Sequence, residues 1–223
     1  LAPPKTLFPM VRHLSHALTP ILYRLPVTPN QITATSVLLG LLGAACFLSG
    51  AWGLGVGGAL LLTAGYVLDN CDGEIARLKN LSSEFGARLD DFGDWIVDAA
   101  FFACLGFGVT HASGETVWLW LGLAAAAGAT IDYGVDLTLE ARAKANATSD
   151  TTREARALDP RQPESPLDWA IYIFHKLSRA DFCLIVLCLA LVDSAWLLLP
   201  AGAIGAQVYW ITDLFERARG YHT

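Results

Sequence analysis

Four aspartates near the middle of the chain have the type and spacing to hold cations together. Asp69 and Asp72 lie three residues apart and Asp90 and Asp94 four apart, so on helices each pair shares one face. Carboxylates brought that close repel one another unless positive charge neutralises them. Hard oxygen ligands favour Mg²⁺, Mn²⁺ or Ca²⁺ over zinc, which usually takes His or Cys. Two such ions would suit a phosphoryl group, clamping its oxygens during an in-line displacement. Around the acids stand Gly73, Ala76 and Gly86, which keep side-chain bulk low where a substrate would approach the backbone. Arg77 could pair with a phosphate or with one of the aspartates.

These acids sit in a chain built for lipid. Of its 223 residues 54% are apolar and 16% charged, where a soluble domain carries about 25% charged. The formal charge of −6 argues against a nucleic-acid partner, which asks for a basic face. Lys5 and Arg12 precede only a short, interrupted apolar stretch, which is not the pattern of a signal peptide. Cys46, Cys71, Cys104, Cys183 and Cys188 all lie in or beside apolar segments without metal-ligand spacing, and are expected to be free thiols. None of the five histidines pairs with another at metal-ligand spacing on a span, and none is expected to be catalytic.

A span needs about 20 mainly apolar residues to cross roughly 30 Å of hydrocarbon. Six stretches qualify, near 31–50, 52–76, 86–109, 116–139, 179–195 and 196–216. The expected fold is therefore all-α: a polytopic membrane protein with six transmembrane helices. Residues 1–27 are expected to form an N-terminal interfacial amphipathic helix, with Arg12, His13, His16 and Arg24 interleaved among apolar residues. Residues 28–223 would form the transmembrane catalytic domain, with Thr28-Pro29-Asn30 capping its first helix. All fifteen Lys and Arg fall on the side of the termini, and none falls in the three opposite connections. The positive-inside rule then puts both termini and the acidic cluster in the cytoplasm.

The acids group across the second and third spans, which are consecutive, antiparallel and joined by a turn near Asn80 to Glu84. Intramembrane acids are costly and usually face a cavity. Asp91 falls on a different face from the motif and reads as structural. Asp98, Asp132 and Asp136 are open between extending the cavity and forming local pairs. A cation- or proton-coupled transporter also buries carboxylates, but here they gather near one face with no matching cluster toward the other.

Asp69-x2-Asp72-Gly73-x2-Ala76-Arg77-x8-Gly86-x3-Asp90-x3-Asp94 fixes eight positions over 26 residues. In this the chain resembles the CDP-alcohol phosphotransferases (CDP-alcohol phosphatidyltransferases). Cys71 and the run through Leu78 are similar to members of the di-inositol-phosphate phosphate synthase and phosphatidylinositol phosphate synthase type. The resemblance implies a metal-dependent enzyme that moves a phosphoalcohol from a CDP-alcohol to an acceptor and releases CMP. It implies two ions, Mg²⁺ or Mn²⁺, on Asp69, Asp72 and Asp90, with Asp94 as a further ligand or the general base. Gly73, Ala76, Arg77 and Gly86 would line the nucleotide pocket, with Asn30 and Thr33 contributing from the first span. The donor would be CDP-diacylglycerol or a soluble CDP-alcohol, and the acceptor an alcohol or polyol phosphate. Arg142, Lys144 and Arg179 are the cations available for an acceptor's phosphate. The resemblance also suggests a homodimer in membrane lipid, and the small residues Gly122 to Ala129 would permit close helix packing.

Overall fold

The computed structural model describes residues 9–146 and 181–218, and within them every regular element is helical. Seven α-helices follow in order: α1 (Val11–Tyr23), α2 (Pro29–Cys46), α3 (Trp52–Leu78), α4 (Glu84–Ser113), α5 (Val117–Asn146), α6 (Phe182–Leu191) and α7 (Leu198–Ala218). Short 3₁₀ turns at Phe47–Ser49 and Ala195–Leu197 bridge α2 to α3 and α6 to α7.

The local chemistry sets where these helices begin. Thr28 caps α2 by accepting from the Gln31 backbone amide, the Gln31 side-chain oxygen accepts from the Thr28 amide at 3.0 Å, and Pro29 takes the first helical position. Ser83 caps α4, accepting from the Gly86 amide at 3.0 Å. Between them, Asn80 adopts a left-handed conformation (φ 54°) that ends α3 and reverses the chain. The turn expected near Asn80 to Glu84 is thus present.

Among the described residues, three helices are long and apolar enough to cross a membrane: α2 with its 3₁₀ turn (Pro29–Ser49), α3 and α4. Shorter apolar helices cover Phe182–Leu191 and Ala195–Val208. The fifth expected span, 179–195, is only partly within the described residues, and α6 occupies its centre.

The apolar core lies at the end of the bundle away from the aspartates. Phe47, Leu62, Phe101, Leu105, Val186 and Leu199 form it, with Phe47 and Phe101 edge-to-face at 5.2 Å. Small residues bring helices together. A Cβ on Gly122 would stand 3.0 Å from the Gly106 Cα of α4, and one on Gly128 would stand 2.7 Å from the Ala206 Cβ of α7. Gln207 reinforces that contact by donating to the Ala124 carbonyl at 3.0 Å. The buried glycines of the stretch Gly122 to Ala129 thus pack against the chain's own helices.

The N-terminal helix is docked by its polar side. Its buried residues are Val11, Ser15 and Thr19, one turn apart, while Leu14, Ile21 and Tyr23 are exposed. Ser15 and Thr19 donate to the Glu74 carboxylate of α3 at 3.2 and 2.6 Å.

Candidate active site

Asp72 and Asp69 lie in the second and third turns from the end of α3, and Asp90 in the second turn of α4, so the reversal of the chain brings them to one level. One carboxylate oxygen from each lies within 4.8 Å of the others. Asp72 is buried and accepts a hydrogen bond from the Thr33 hydroxyl of α2. One Asp90 oxygen, Oδ1, is buried with no hydrogen-bond partner among the described residues. A buried carboxylate oxygen without a partner is costly, and a divalent cation is the partner that three converging carboxylates fit. Asp94, one turn further along α4, is not a member of the group of three.

Two cavities meet at these carboxylates. The smaller, about 180 Å³, is lined by Asn30, Thr33, Gly73, Ala76, Arg77 and Gly86, together with Asp72 and Asp90. All six residues expected to bind nucleotide therefore share one wall. Ser83, Gly86 and Ala87 also line it, so the N-terminus of α4 opens onto it with the positive end of its dipole. Gly86 is a close approach, since a Cβ there would meet Asn30 Oδ1 and Ser83 Oγ at 3.1 Å, whereas one on Gly73 would make only ordinary contact with the Arg77 guanidinium at 3.4 Å.

The larger cavity, about 530 Å³, lies on the other side. Asp69 and Asp94 line it, with Asp91, Asp98, Asp132 and Asp136. Asp91, expected on a different face, shares this wall because the cavity extends sideways to α5. Asp98 is held by the Tyr66 hydroxyl, which donates at 3.0 Å. Trp95 stacks on Tyr133 at 5.1 Å between ring centres and donates from its indole to Thr130 at 3.1 Å.

Of the expected acceptor-side cations, Arg179 lies outside the described residues, and Arg142 and Lys144 lie on α5 with their side chains outside them. Arg88 pairs with Glu84 on the surface at 3.2 Å rather than with the acidic cluster. The five cysteines are free, with Cys71 and Cys183 buried and Cys188 exposed. Sequence reading did not single out Tyr66, Trp95 or Tyr133. Their signal was a Tyr one turn before Asp69 and a Trp beside Asp94, facing an aromatic on α5.

Against known families, the model described as CDP-alcohol phosphatidyltransferase matches residues 26–207. Two curated relatives, each named bifunctional IPC transferase and DIPP synthase, come from Aquifex aeolicus and Thermococcus kodakarensis. They are 40% identical over 79 residues and 35% over 92, covering 35% and 41% of this chain. These matches span only 17% and 20% of the relatives' own length. Among solved structures, the apo phosphatidylinositol phosphate synthase (PgsA1) of Mycobacterium tuberculosis has a similar fold. Its TM-score is 0.55 at 22% identity, covering 89% of this chain and 95% of that one. The same protein with CDP-DAG bound gives a TM-score of 0.52 at 22% identity, covering 87% and 90%.

Proposed function

The chain belongs to the CDP-alcohol phosphatidyltransferase family, and from that premise we propose that it moves a phosphoalcohol group from a CDP-alcohol to an acceptor alcohol, releasing CMP. The observation that carries this reading is the position of the three carboxylates, between a cavity holding Asn30, Thr33, Gly73, Ala76, Arg77 and Gly86 and one holding Asp94. The donor takes the smaller cavity and the acceptor the larger.

Asp69, Asp72 and Asp90 would hold divalent cations, two Mg²⁺ or Mn²⁺ in this reading, and the bound metal supplies charge neutralisation at the phosphate oxygens. Thr33 fixes the direction of the Asp72 carboxylate. Arg77 and the α4 N-terminus add positive potential beside the diphosphate. Asp94 faces the acceptor side and takes the proton from the attacking hydroxyl. That oxygen bonds to the phosphorus bearing the donor's alcohol, the bond from that phosphorus to the CMP oxygen breaks, and CMP departs with the electron pair. Asp98 and Asp132 are placed to accept from further hydroxyls of a polyol, against the Trp95 face. If the acceptor is a polyol phosphate, Arg142, Lys144 and Arg179 are the cations for its phosphate.

We place the chemistry in a single membrane domain, residues 28–223, with six spans and both termini and the site on the cytoplasmic side. The run of basic residues on one side supports that orientation. Residues 1–27 would lie along the interface, supported by the apolar and basic outer face of α1. CDP-diacylglycerol would arrive laterally from the bilayer, whereas a soluble CDP-alcohol would come from the cytosol. A homodimer in the membrane remains part of this reading.

The test is CMP release by purified protein with Mg²⁺ or Mn²⁺, over a panel of CDP-diacylglycerol and soluble CDP-alcohol donors with polyol, polyol-phosphate and amino-alcohol acceptors. One donor–acceptor pair is expected to release CMP, and Asp69→Asn and Asp94→Asn to abolish it. Folded protein that neither turns over nor binds a CDP-alcohol with metal would overturn the proposal.

A further inference from the structure

Lys79 follows the helix that carries Asp69, Asp72 and Arg77, yet it lines neither cavity. Its ammonium donates to the Val27 carbonyl at 2.9 Å and the Leu25 carbonyl at 3.1 Å, and stands 5.7 Å from the centre of the Tyr23 ring. Those carbonyls lie just beyond the C-terminus of α1, the negative end of its dipole, where a cation is favoured. At the other end of α1, the buried Asp181 carboxylate accepts from the Met10 and Val11 amides, each at 3.0 Å, where an anion is favoured. Glu74 holds the middle through Ser15 and Thr19. The N-terminal helix is thus fastened at three points by charges from α3 and from the start of α6, and the outer two match its dipole.

The consequence falls on the smaller cavity. The segment gripped by Lys79 runs directly into Thr28 and Pro29, and then into Asn30 and Thr33, which line that cavity. Pro26 and Pro29 bracket the Val27 contact and fix φ at both positions, so a shift at Val27 passes into α2 rather than being absorbed. We infer that Lys79 is a positioning residue for the CDP-alcohol: by gripping residues 25–27 it sets where Asn30 and Thr33 stand against the donor and Asp72. This rests on reading the smaller cavity as the donor side.

The test compares Lys79→Met, which removes the ammonium but keeps the stem, with Lys79→Arg, which keeps the charge. Both are purified in the same lipid and assayed with the donor–acceptor pair that the wild type uses. Lys79→Met is expected to raise the donor KM roughly three- to tenfold while acceptor KM and kcat stay within about twofold, because a lost hydrogen-bond pair acts on donor binding. Lys79→Arg is expected to recover most of that loss. In a cycle with Thr33→Val, the two effects on donor KM should combine to less than their product, because both act through one placement of Thr33.

An unchanged donor KM in folded Lys79→Met would overturn the inference. So would a fall in kcat with both KM values unchanged, which is what a smaller folded fraction gives. Should Lys79→Met fail to fold, Lys79→Gln takes its place: a raised donor KM that combines with Thr33→Val to less than the product would support the positioning role, and an unchanged donor KM or fully multiplicative effects would refute it. If the folded wild type neither releases CMP nor binds a CDP-alcohol with metal, the functional reading falls first and this inference with it.

Discussion

Thr33 donates its hydroxyl to Asp72 and so settles which lone pairs of that carboxylate face Asp69 and Asp90. Partners of this kind typically tune metal affinity by 10–100-fold. Thr33→Val, which keeps the shape but removes the donor, should weaken Mn²⁺ binding by about tenfold while melting near the wild-type temperature. Paramagnetic titration measures the first and a thermal melt the second. On the other side of the site, Asp98 is held by Tyr66 and faces the larger cavity. Asp98→Asn should raise acceptor KM by about tenfold or more and leave donor KM unchanged, since it removes an acceptor for substrate hydroxyls only there. Tyr66→Phe should act in the same direction more weakly. Steady-state kinetics with each substrate varied in turn separates these outcomes from a general loss of fold.

The meeting of the acids of α3 and α4 was legible in part, because their turn and spacing are local, whereas the packing of both helices on α2 and the Thr33 bond to Asp72 are not. A turn of about five residues brings the end of α3 and the start of α4 to one level, and i, i+3 and i, i+4 spacing then sets which acids share a face. The docking of α1 was not legible. Its inward face is Val11, Ser15 and Thr19 rather than the larger apolar residues, and Glu74, the partner of Ser15 and Thr19, is 59 and 55 residues away. A helix whose apolar face points outward looks the same in sequence whether it lies on lipid or packs on protein. The side-by-side glycines of α4 and α5 were visible as small residues, but the surface they meet was not. Gly122→Leu should therefore destabilise the chain itself. A Cβ there would stand 3.0 Å from Gly106, and overpacking of this kind costs about 1–3 kcal/mol or more. A drop in melting temperature that does not depend on protein concentration would support the intrachain contact. A wild-type melt with altered oligomeric state would instead place that face between subunits.

At the scale of the whole molecule, the polar and apolar halves of the bundle are segregated. The aromatic and aliphatic core around Phe47, Phe101 and Leu199 lies toward one end, and two cavities open around the carboxylates at the other. The proposed orientation makes a direct prediction in a background where the five native cysteines are replaced. Ser82→Cys, at the α3–α4 turn, should be labelled by a membrane-impermeant maleimide only after the membrane is opened. Ser113→Cys, at the far end of α4, should be labelled from outside, and the reverse pattern would invert the topology.

The central claim is a division of labour among the four aspartates: Asp69, Asp72 and Asp90 bind the metal, and Asp94 works on the acceptor side. The most direct test measures Mn²⁺ binding by electron paramagnetic resonance and CMP release on the same preparations of Asp69→Asn, Asp72→Asn, Asp90→Asn and Asp94→Asn. The account predicts that the first three lose most Mn²⁺ binding and turnover together. Asp94→Asn should keep Mn²⁺ and CDP-alcohol binding but lose turnover by about 10²–10⁴-fold, the usual worth of a general base. Loss of Mn²⁺ in Asp94→Asn equal to that in Asp90→Asn would contradict it and make Asp94 a ligand instead.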